Sequence, residues 1–297
     1  MLKVKQAVKF KKITATDLQL IESFTQNFDG YSDFATSNLL CWNKDNSNEY
    51  ALIDQTLIIK TIDNLGEKQV ITALSKEDTT RIFLDLEKLG EDFSYIPEVT
   101  LNNIHSNTRI SAFDDRNSYD YIYKTAEIDN ITGTKYAKKR GKINQFSKNY
   151  PDFSIKEIDI YQKNTIQDIN LIMGKWANQK NLKAELFECT FLENKLKTKG
   201  AYQDVSLGMY VGKELIGFSS TQIQKNNTAL INLLKTDLTY SNSGTFMFYQ
   251  TNKYLKNNFH IELLNFDCDL GLDGLRINKE TWNPAKYLKK YQLTINH

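Results

Sequence analysis

The chain has 297 residues, 40% of them hydrophobic and 25% charged, and its 38 basic and 36 acidic residues leave a formal charge of only +2. That balance is close to the average for globular proteins and allows one large domain or two of ordinary size. It contains no apolar run of about 18 residues, which excludes a membrane-spanning helix. Cys41, Cys189 and Cys268 are few and widely separated, which argues against a disulfide framework and for reduced thiols in a cytoplasm.

The N-terminus, Met1 to Phe10, is broken by a charge every few residues and lacks the apolar centre of a signal peptide. His105, His260 and His297 are the only histidines, and no Cys/His spacing suggests zinc or another metal. Abundant Asn, Lys and Ile with only three Pro point to a bacterial gene rich in AT.

In chain order, Thr16 or Asp17 can cap a short helix through Phe24, and Phe34 to Trp42 reads as another. Tyr50 to Ile53 and Thr56 to Thr61 read as strands joined by a turn at Asp54-Gln55. Val70 to Ala73 is a third strand. Ser75 and Asp78 resemble a capping arrangement for a helix striped by Ile82, Leu86 and Leu89 and stopped at Gly90. Tyr119 to Tyr123 is a strand.

Gly133 to Lys148 follows, with six positive charges and no negative one, against 32 basic and 36 acidic residues elsewhere. At helical spacing Tyr136, Arg140 and Ile143 fall together, as do Lys139, Ile143, Phe146 and Tyr150; Lys135, Lys138 and Lys142 share another face. Lys135, Lys138, Lys139, Arg140 and Lys142 are thus candidates for binding a polyanion, against the plainer reading of a solvated helix face. Gly141 weakens this helix by about 1 kcal/mol relative to Ala, for the sake of either close backbone approach or packing. Pro151 ends the element.

Phe153 to Ile158 alternates as a strand, and Ile166, Ile169, Ile172, Met173 and Trp176 stripe a long helix. Val205 to Val211 and Leu215 to Thr221 are strands around a reversal at Gly212-Lys213. Thr228 to Leu234 is a strand leading through a loop to a helix from Gly244 towards Lys256. Tyr240, Ser243 and Gly244 can therefore form an anion loop, or an ordinary helix entry. The loop has neither the Walker nor the dinucleotide spacing.

Ile261 to Phe266 is a strand, Leu272 to Thr281 a helix and Tyr287 to Ile295 a last strand. Asp267 and Asp269 sit at a strand end, where they can serve as general base or ammonium ligand, or cap the next helix. Arg276 and Lys279, one turn apart, can hold a carboxylate or phosphate, or stand in solvent as a basic pair. Cys268 reads as a structural thiol, and Trp42, Trp176 and Trp282 as core. The repeated order of hairpin, strand and helix suggests a duplicated α/β (α+β) fold, divided into residues 1–125 and 126–297.

Two strings carry a resemblance. One is Asp120-Tyr-Ile-Tyr123, then Gly133-Thr-Lys-Tyr-Ala-Lys-Lys-Arg-Gly-Lys-Ile-Asn-Gln-Phe146 and Tyr150-Pro151. The other is Asn265-Phe-Asp-Cys-Asp-Leu-Gly-Leu-Asp-Gly-Leu-Arg276 with Lys279 and Trp282-Asn-Pro284. With Phe34 to Trp42 and Tyr50 to Asp54, the chain resembles soluble members of the phosphatidylglycerol lysyltransferase C-terminal domain family over nearly its whole length. The resemblance implies two tandem GNAT-like (acetyltransferase-type) domains. It also implies transfer of an aminoacyl group from a charged tRNA to a lipid head group. The expectation is a transferase moving an aminoacyl or acyl group, from aminoacyl-tRNA or acyl-CoA, to an amine or hydroxyl acceptor. Asp267, Asp269 and Arg276 would be catalytic, and Lys279 would recognise the acceptor or amino acid. The alternative is a non-catalytic module that binds RNA or anionic lipid through the basic helix. Either fits a cytoplasmic protein, peripheral at the membrane where lipid is involved.

Overall fold

The computed structural model describes residues 8–63, 66–105, 109–180 and 185–296; the leader reading of residues 1–7 lies outside them. The chain forms two compact units: one runs to Tyr119 and takes up the chain again from Leu288, and the other is Asp120–Tyr287. The sequence division at residue 125 differs from this at both ends of the second unit. Strand pairing explains the difference: residues 120–124 hydrogen-bond into the second sheet, and the last strand, Lys290–Ile295, into the first.

The first unit contains β1 (Lys11–Lys12), α1 (Leu18–Thr25), α2 (Thr36–Cys41), β2 (Glu49–Ile53), β3 (Thr56–Ile62), β4 (Gln69–Ser75), α3 (Thr80–Leu86), β5 (Asp92–Pro97), α4 (Glu98–Leu101) and β6 (Ile110–Asp114). The β2–β3 hairpin closes at Asp54, whose φ of 50° supplies the positive φ that a tight hairpin requires. Gly90, at φ 72°, ends the turn after α3 as its position in the sequence predicted. Ile58, Ile71, Phe83, Leu86 and Ile96 form the core. Strands β4 and β5 run parallel, paired only at Val70↔Asp92 and Ile71↔Phe93. Beyond that point Thr72 Oγ1 of β4 donates to the Tyr95 carbonyl of β5 at 2.9 Å, and Thr100 Oγ1 of α4 donates to the Ala73 carbonyl of β4 at 2.9 Å.

The second unit contains β7 (Asp120–Lys124), α5 (Thr125–Asn130), α6 (Ala137–Asn149), β8 (Phe153–Glu157), α7 (Lys163–Lys180), α8 (Glu185–Lys197), β9 (Asp204–Val211), β10 (Glu214–Ile223), β11 (Thr228–Thr236), α9 (Ser243–Phe259), β12 (Leu263–Asn265), α10 (Asp273–Glu280) and β13 (Lys286–Leu288). The chain's last strand is β14 (Lys290–Ile295). Among the described residues each sheet has seven strands, in the orders β1-β2-β3-β4-β5-β14-β6 and β13-β7-β12-β11-β10-β9-β8. Both follow one plan: an antiparallel run, one parallel step (β4 with β5, β11 with β12), then an antiparallel strand from the opposite end of the same unit's sequence (β14, β7).

The second core packs α6 and α9 on one sheet face. Phe146 stacks on Phe246 with ring centroids 4.3 Å apart, and Phe248 lies 4.7 Å from Trp282. Burying such aromatics stabilises the fold by about 1.5–3 kcal/mol each. Of the two groupings read along this segment, Tyr136, Lys139, Ile143 and Phe146 are buried, and Arg140 and Tyr150 are half-buried.

Candidate functional site

Strands β11 and β12 pair in parallel from Thr228↔Leu263 to Leu230↔Asn265, where β12 ends and β11 continues to Thr236. The chain then turns through a loop in which Asp267, Leu270 and Gly271 all have positive φ (57°, 55° and 73°). For Asp267 and Leu270 this backbone is strained and must be held by its surroundings.

Three side chains hold it. Asn265 accepts from the Asp267 N–H at 2.7 Å and donates to Asp120 at 3.1 Å. Asp267 accepts from the Cys268 N–H at 2.7 Å. Lys279, buried on α10, donates to the Asp267 carbonyl at 3.1 Å, to the Cys268 carbonyl at 2.5 Å and, more closely, to the Phe266 carbonyl. Burial pushes the Lys279 pKa below its usual value. An ammonium group has three protons, and these three carbonyls use them. Lys279 therefore positions the loop and does not offer the ligand contact expected of it.

Asp269 is buried and its carboxylate accepts hydrogen bonds from three residues around it. Arg276 donates through Nε and Nη2 at 2.8 Å each, the Tyr121 hydroxyl at 2.5 Å and the Gly271 N–H at 2.8 Å. Burial alone would raise the carboxyl pKa, but the bonds from Arg276, Tyr121 and Gly271 outweigh it and hold the pKa below the usual value. In turn the bond to Asp269 raises the pKa of Arg276. An acid so stabilised is a poor general base, and Asp269 acts on its surroundings by fixing the half-buried Arg276. Tyr121 was not singled out by the sequence; the signal was three tyrosines in Tyr119 to Tyr123, whose hydroxyls need partners once buried.

The loop between β11 and α9 differs from the expected anion loop. Ser243 is buried; its hydroxyl donates to the Asp237 carbonyl at 3.0 Å and shares a hydrogen bond with the Thr236 hydroxyl at 2.9 Å. The Tyr240 hydroxyl donates to Glu214 at 2.9 Å, which raises its pKa. Lys175 bridges Asp237 and Glu214 at 2.8 and 3.2 Å. Gly244 is the second residue of α9. Two carboxylates against one lysine do not suit a pyrophosphate, so these residues do not fit the coenzyme A that a GNAT-like fold would bring to this loop.

The basic helix divides. Lys135 pairs with Glu127 at 2.8 Å. Arg140 donates to the carbonyls of Ile131 and Gly133 at 2.6 and 2.7 Å, which closes the end of α5. Lys139 is buried, its ammonium 4.4 Å from the Trp282 ring centre and 3.3 Å from Asn278 Oδ1. Burial, followed by repulsion from Lys142, pushes its pKa down to about 7. Lys138 and Lys142 alone of the five are exposed with no ion pair among the described residues. Gly141 lies between them on the exposed surface, and a Cβ added there would meet nothing within 4 Å, so no packing contact explains it.

Mixed sheets with one parallel step, flanked by helices and repeated along the chain, define a tandem GNAT-like fold. A model of the family described as phosphatidylglycerol lysyltransferase, C-terminal, matches residues 27–294, and the chain belongs to that family. A conserved protein of unknown function from Bacteroides thetaiotaomicron VPI-5482 is similar in structure, with a TM-score of 0.83, 23% identity, and coverage of 98% of this chain and 100% of that one. L-PGS from Bacillus licheniformis has a TM-score of 0.66 at 13% identity, over 94% and 92% of the two chains. The C-terminal domain (DUF2156) of a protein assigned as a lysylphosphatidylglycerol synthetase from Agrobacterium fabrum has a TM-score of 0.64 at 12% identity, over 95% and 92%. A comparison with curated proteins finds no significant match. The chain is an acyl- or aminoacyltransferase-like module, and no helix among the described residues is long and apolar enough to cross a membrane.

Proposed function

We propose that the second unit transfers an aminoacyl group to an amine or hydroxyl acceptor, such as a lipid head group or a small molecule. The observation that carries this is the Arg276 guanidinium, clamped by the buried Asp269 of the loop that follows β12, with the Tyr121 hydroxyl of β7 on the same carboxylate. In such a transfer the acceptor loses its proton, its lone pair attacks the donor's carbonyl carbon, and the ester oxygen of the donor leaves with a proton. A fixed guanidinium can stabilise the carbonyl oxygen as it becomes an oxyanion. Asp267 is the nearby carboxylate for the base or for an ammonium group, and Asp269 keeps Arg276 in place. The carboxylates around Tyr240 favour aminoacyl-tRNA over acyl-CoA as donor, and the exposed Lys138 and Lys142 on α6 suit a polyanion.

A second reading is a non-catalytic module that binds RNA or anionic lipid through α6; the same exposed lysines favour it. A screen of charged tRNAs and acyl-CoAs against lipid and small-molecule acceptors separates the two. Transfer from an aminoacyl-tRNA, lost in Arg276→Lys, supports the enzyme. No transfer from any donor, with RNA or lipid still bound, leaves the binding module. Transfer from an acyl-CoA would overturn the choice of donor.

A further inference from the structure

The first sheet ends on β6, and the bonds at the two ends of its ladder show which way its backbone faces. The Asp115 N–H donates to the Lys290 carbonyl at 3.1 Å and the Asn296 N–H to the Arg109 carbonyl at 2.6 Å. Both pairs continue the register of β14 on β6, which runs from Tyr291↔Asp114 to Ile295↔Ile110. Directly opposed residues that bond in this way fix the alternation of an antiparallel ladder. Residues 109, 111, 113 and 115 therefore turn their N–H and C=O groups to β14. Ile110, Ala112 and Asp114 turn theirs away from it, along the open edge of the sheet.

Side chains alternate between the two faces, so Arg109, Ser111, Phe113 and Asp115 share one. Ala112, Phe113 and Asp114 are exposed, Phe113 by 55%. Of the edge strands β1, β6, β8 and β13, β6 alone carries one of the large hydrophobic side chains exposed among the described residues. Charge stands only at its ends, and there it is held. Arg109 meets Glu87 at 3.1 Å, and Asp115 accepts from the Ser118 hydroxyl at 2.6 Å.

An antiparallel copy of the same strand fits this edge in one register. With a twofold axis at Ala112, Ala112 opposes Ala112, Ile110 opposes Asp114, and every outward N–H meets an outward C=O. The same axis opposes Arg109 to Asp115 and Ser111 to Phe113. It also sets the two Phe113 rings on a diagonal that aromatic side chains can span. Moving the axis by one residue leaves an outward residue unmatched and separates Arg109 from Asp115. An unrelated peptide could match the backbone, but the charges are complementary to themselves, as a twofold interface requires.

We propose that two copies of the chain associate through β6, antiparallel about Ala112, with Arg109 of each copy against Asp115 of the other. The strand has five residues, fewer than the roughly 20–30 a side of a stable interface, so the dimer is a weak one, with Kd between about 1 µM and about 1 mM. The inference is independent of the transfer reading.

The test is sedimentation equilibrium of the whole chain over that concentration range. A monomer–dimer equilibrium is expected, weakened by salt through the Arg109 and Asp115 pairs. Ala112→Pro removes the N–H at the axis but none that β14 uses, and Phe113→Lys brings like charges together on the diagonal. Each should weaken the dimer at least about tenfold. Arg109→Glu and Asp115→Arg each oppose like charges at both ends and should weaken it similarly. An equal mixture of those two variants should associate as the parent does, because every opposed pair is again of opposite sign. Thermal melts check that each variant folds; should Arg109→Glu unfold for want of its bond to Glu87, Ala112→Pro and Phe113→Lys decide. A parent that stays monomeric throughout, a dimer that survives both of those variants, or a mixture of folded charge variants no stronger than either alone overturns the proposal. So does association that grows beyond a dimer, which a closed twofold contact forbids.

Discussion

Asp269 and Arg276 meet through two hydrogen bonds of 2.8 Å, the acid completely buried and the arginine side chain 31% exposed. Tyr121 and the Gly271 N–H also donate to the acid. The pair joins the end of β12 to α10, so it is both a strut and the support for the one partly accessible guanidinium there.

Asp269→Asn is expected to cost about 3 kcal/mol, the low end for breaking a buried pair, because Arg276 can still turn part of its charge to water. The folded-state pKa of Asp269 is lowered, so the acid's contribution is present above its unfolded value of about 3.9 and disappears as pH falls through the folded value. Denaturant unfolding of the parent and variant should differ at neutral pH and converge in acid. A pH-independent difference would show that the carboxylate charge is not what matters.

Arg276→Lys keeps a charge but cannot span both carboxylate oxygens. Transfer should fall at least about 100-fold, the usual effect of losing one oxyanion donor, while melting shifts less than in Asp269→Asn. If kcat stays at the parent level in the transfer assay, Arg276 is only a strut.

Much of the fold was legible in the sequence, because the segments with strong local signals are the ones that form. Helix α6 ends before Pro151, the Asp54 turn closes its hairpin, and Gly90 ends its helix. The exchange of β7 and β14 between sheets was not legible, since pairing across so many residues leaves no local trace. Helix α8 was missed, as were β5 and β6. Asp267, Asp269 and Arg276 were singled out, but their division of labour depends on burial, which distinguishes a base from a strut. Lys279 and Lys139 resemble surface charges in sequence, although the spacing of Lys139 with Ile143 and Phe146 already put it on the apolar face.

Lys139 gives a pH test. Its folded pKa of about 7 lies below the usual 10.5, mainly through burial. Between these values the unfolded chain holds the proton and the folded chain does not, so stability rises with pH across that window. Below about 7 the buried charge imposes its full penalty, partly offset by the Trp282 ring. Lys139→Met should therefore stabilise the protein in mild acid, by up to a few kcal/mol, and the gain should fade towards pH 10.5. Thermal melts across that range decide it; a constant difference would mean that Lys139 keeps its proton throughout.

Gly141 distinguishes a binding helix from a merely solvated one. It lies mid-helix in α6, exposed, with no atom within 4 Å of an added Cβ. Gly141→Ala should thus stabilise the fold by about 0.5–1 kcal/mol through helix propensity alone. A helix that only faces solvent has no reason to forgo that gain, whereas one that receives a phosphate backbone against its own backbone does. The methyl group should then weaken RNA binding without changing its salt dependence, because no charge is removed. Lys138→Ala with Lys142→Ala should do the reverse to the salt response, reducing the slope of log affinity against log salt by about 0.7–0.9 for each phosphate no longer neutralised. Filter binding across a salt series, with melts in parallel, measures both. If Gly141→Ala melts higher and binds as tightly as the parent, the glycine gives no close approach. If the lysine pair also leaves the slope unchanged, α6 is a solvated face and its positive charge does not bind RNA.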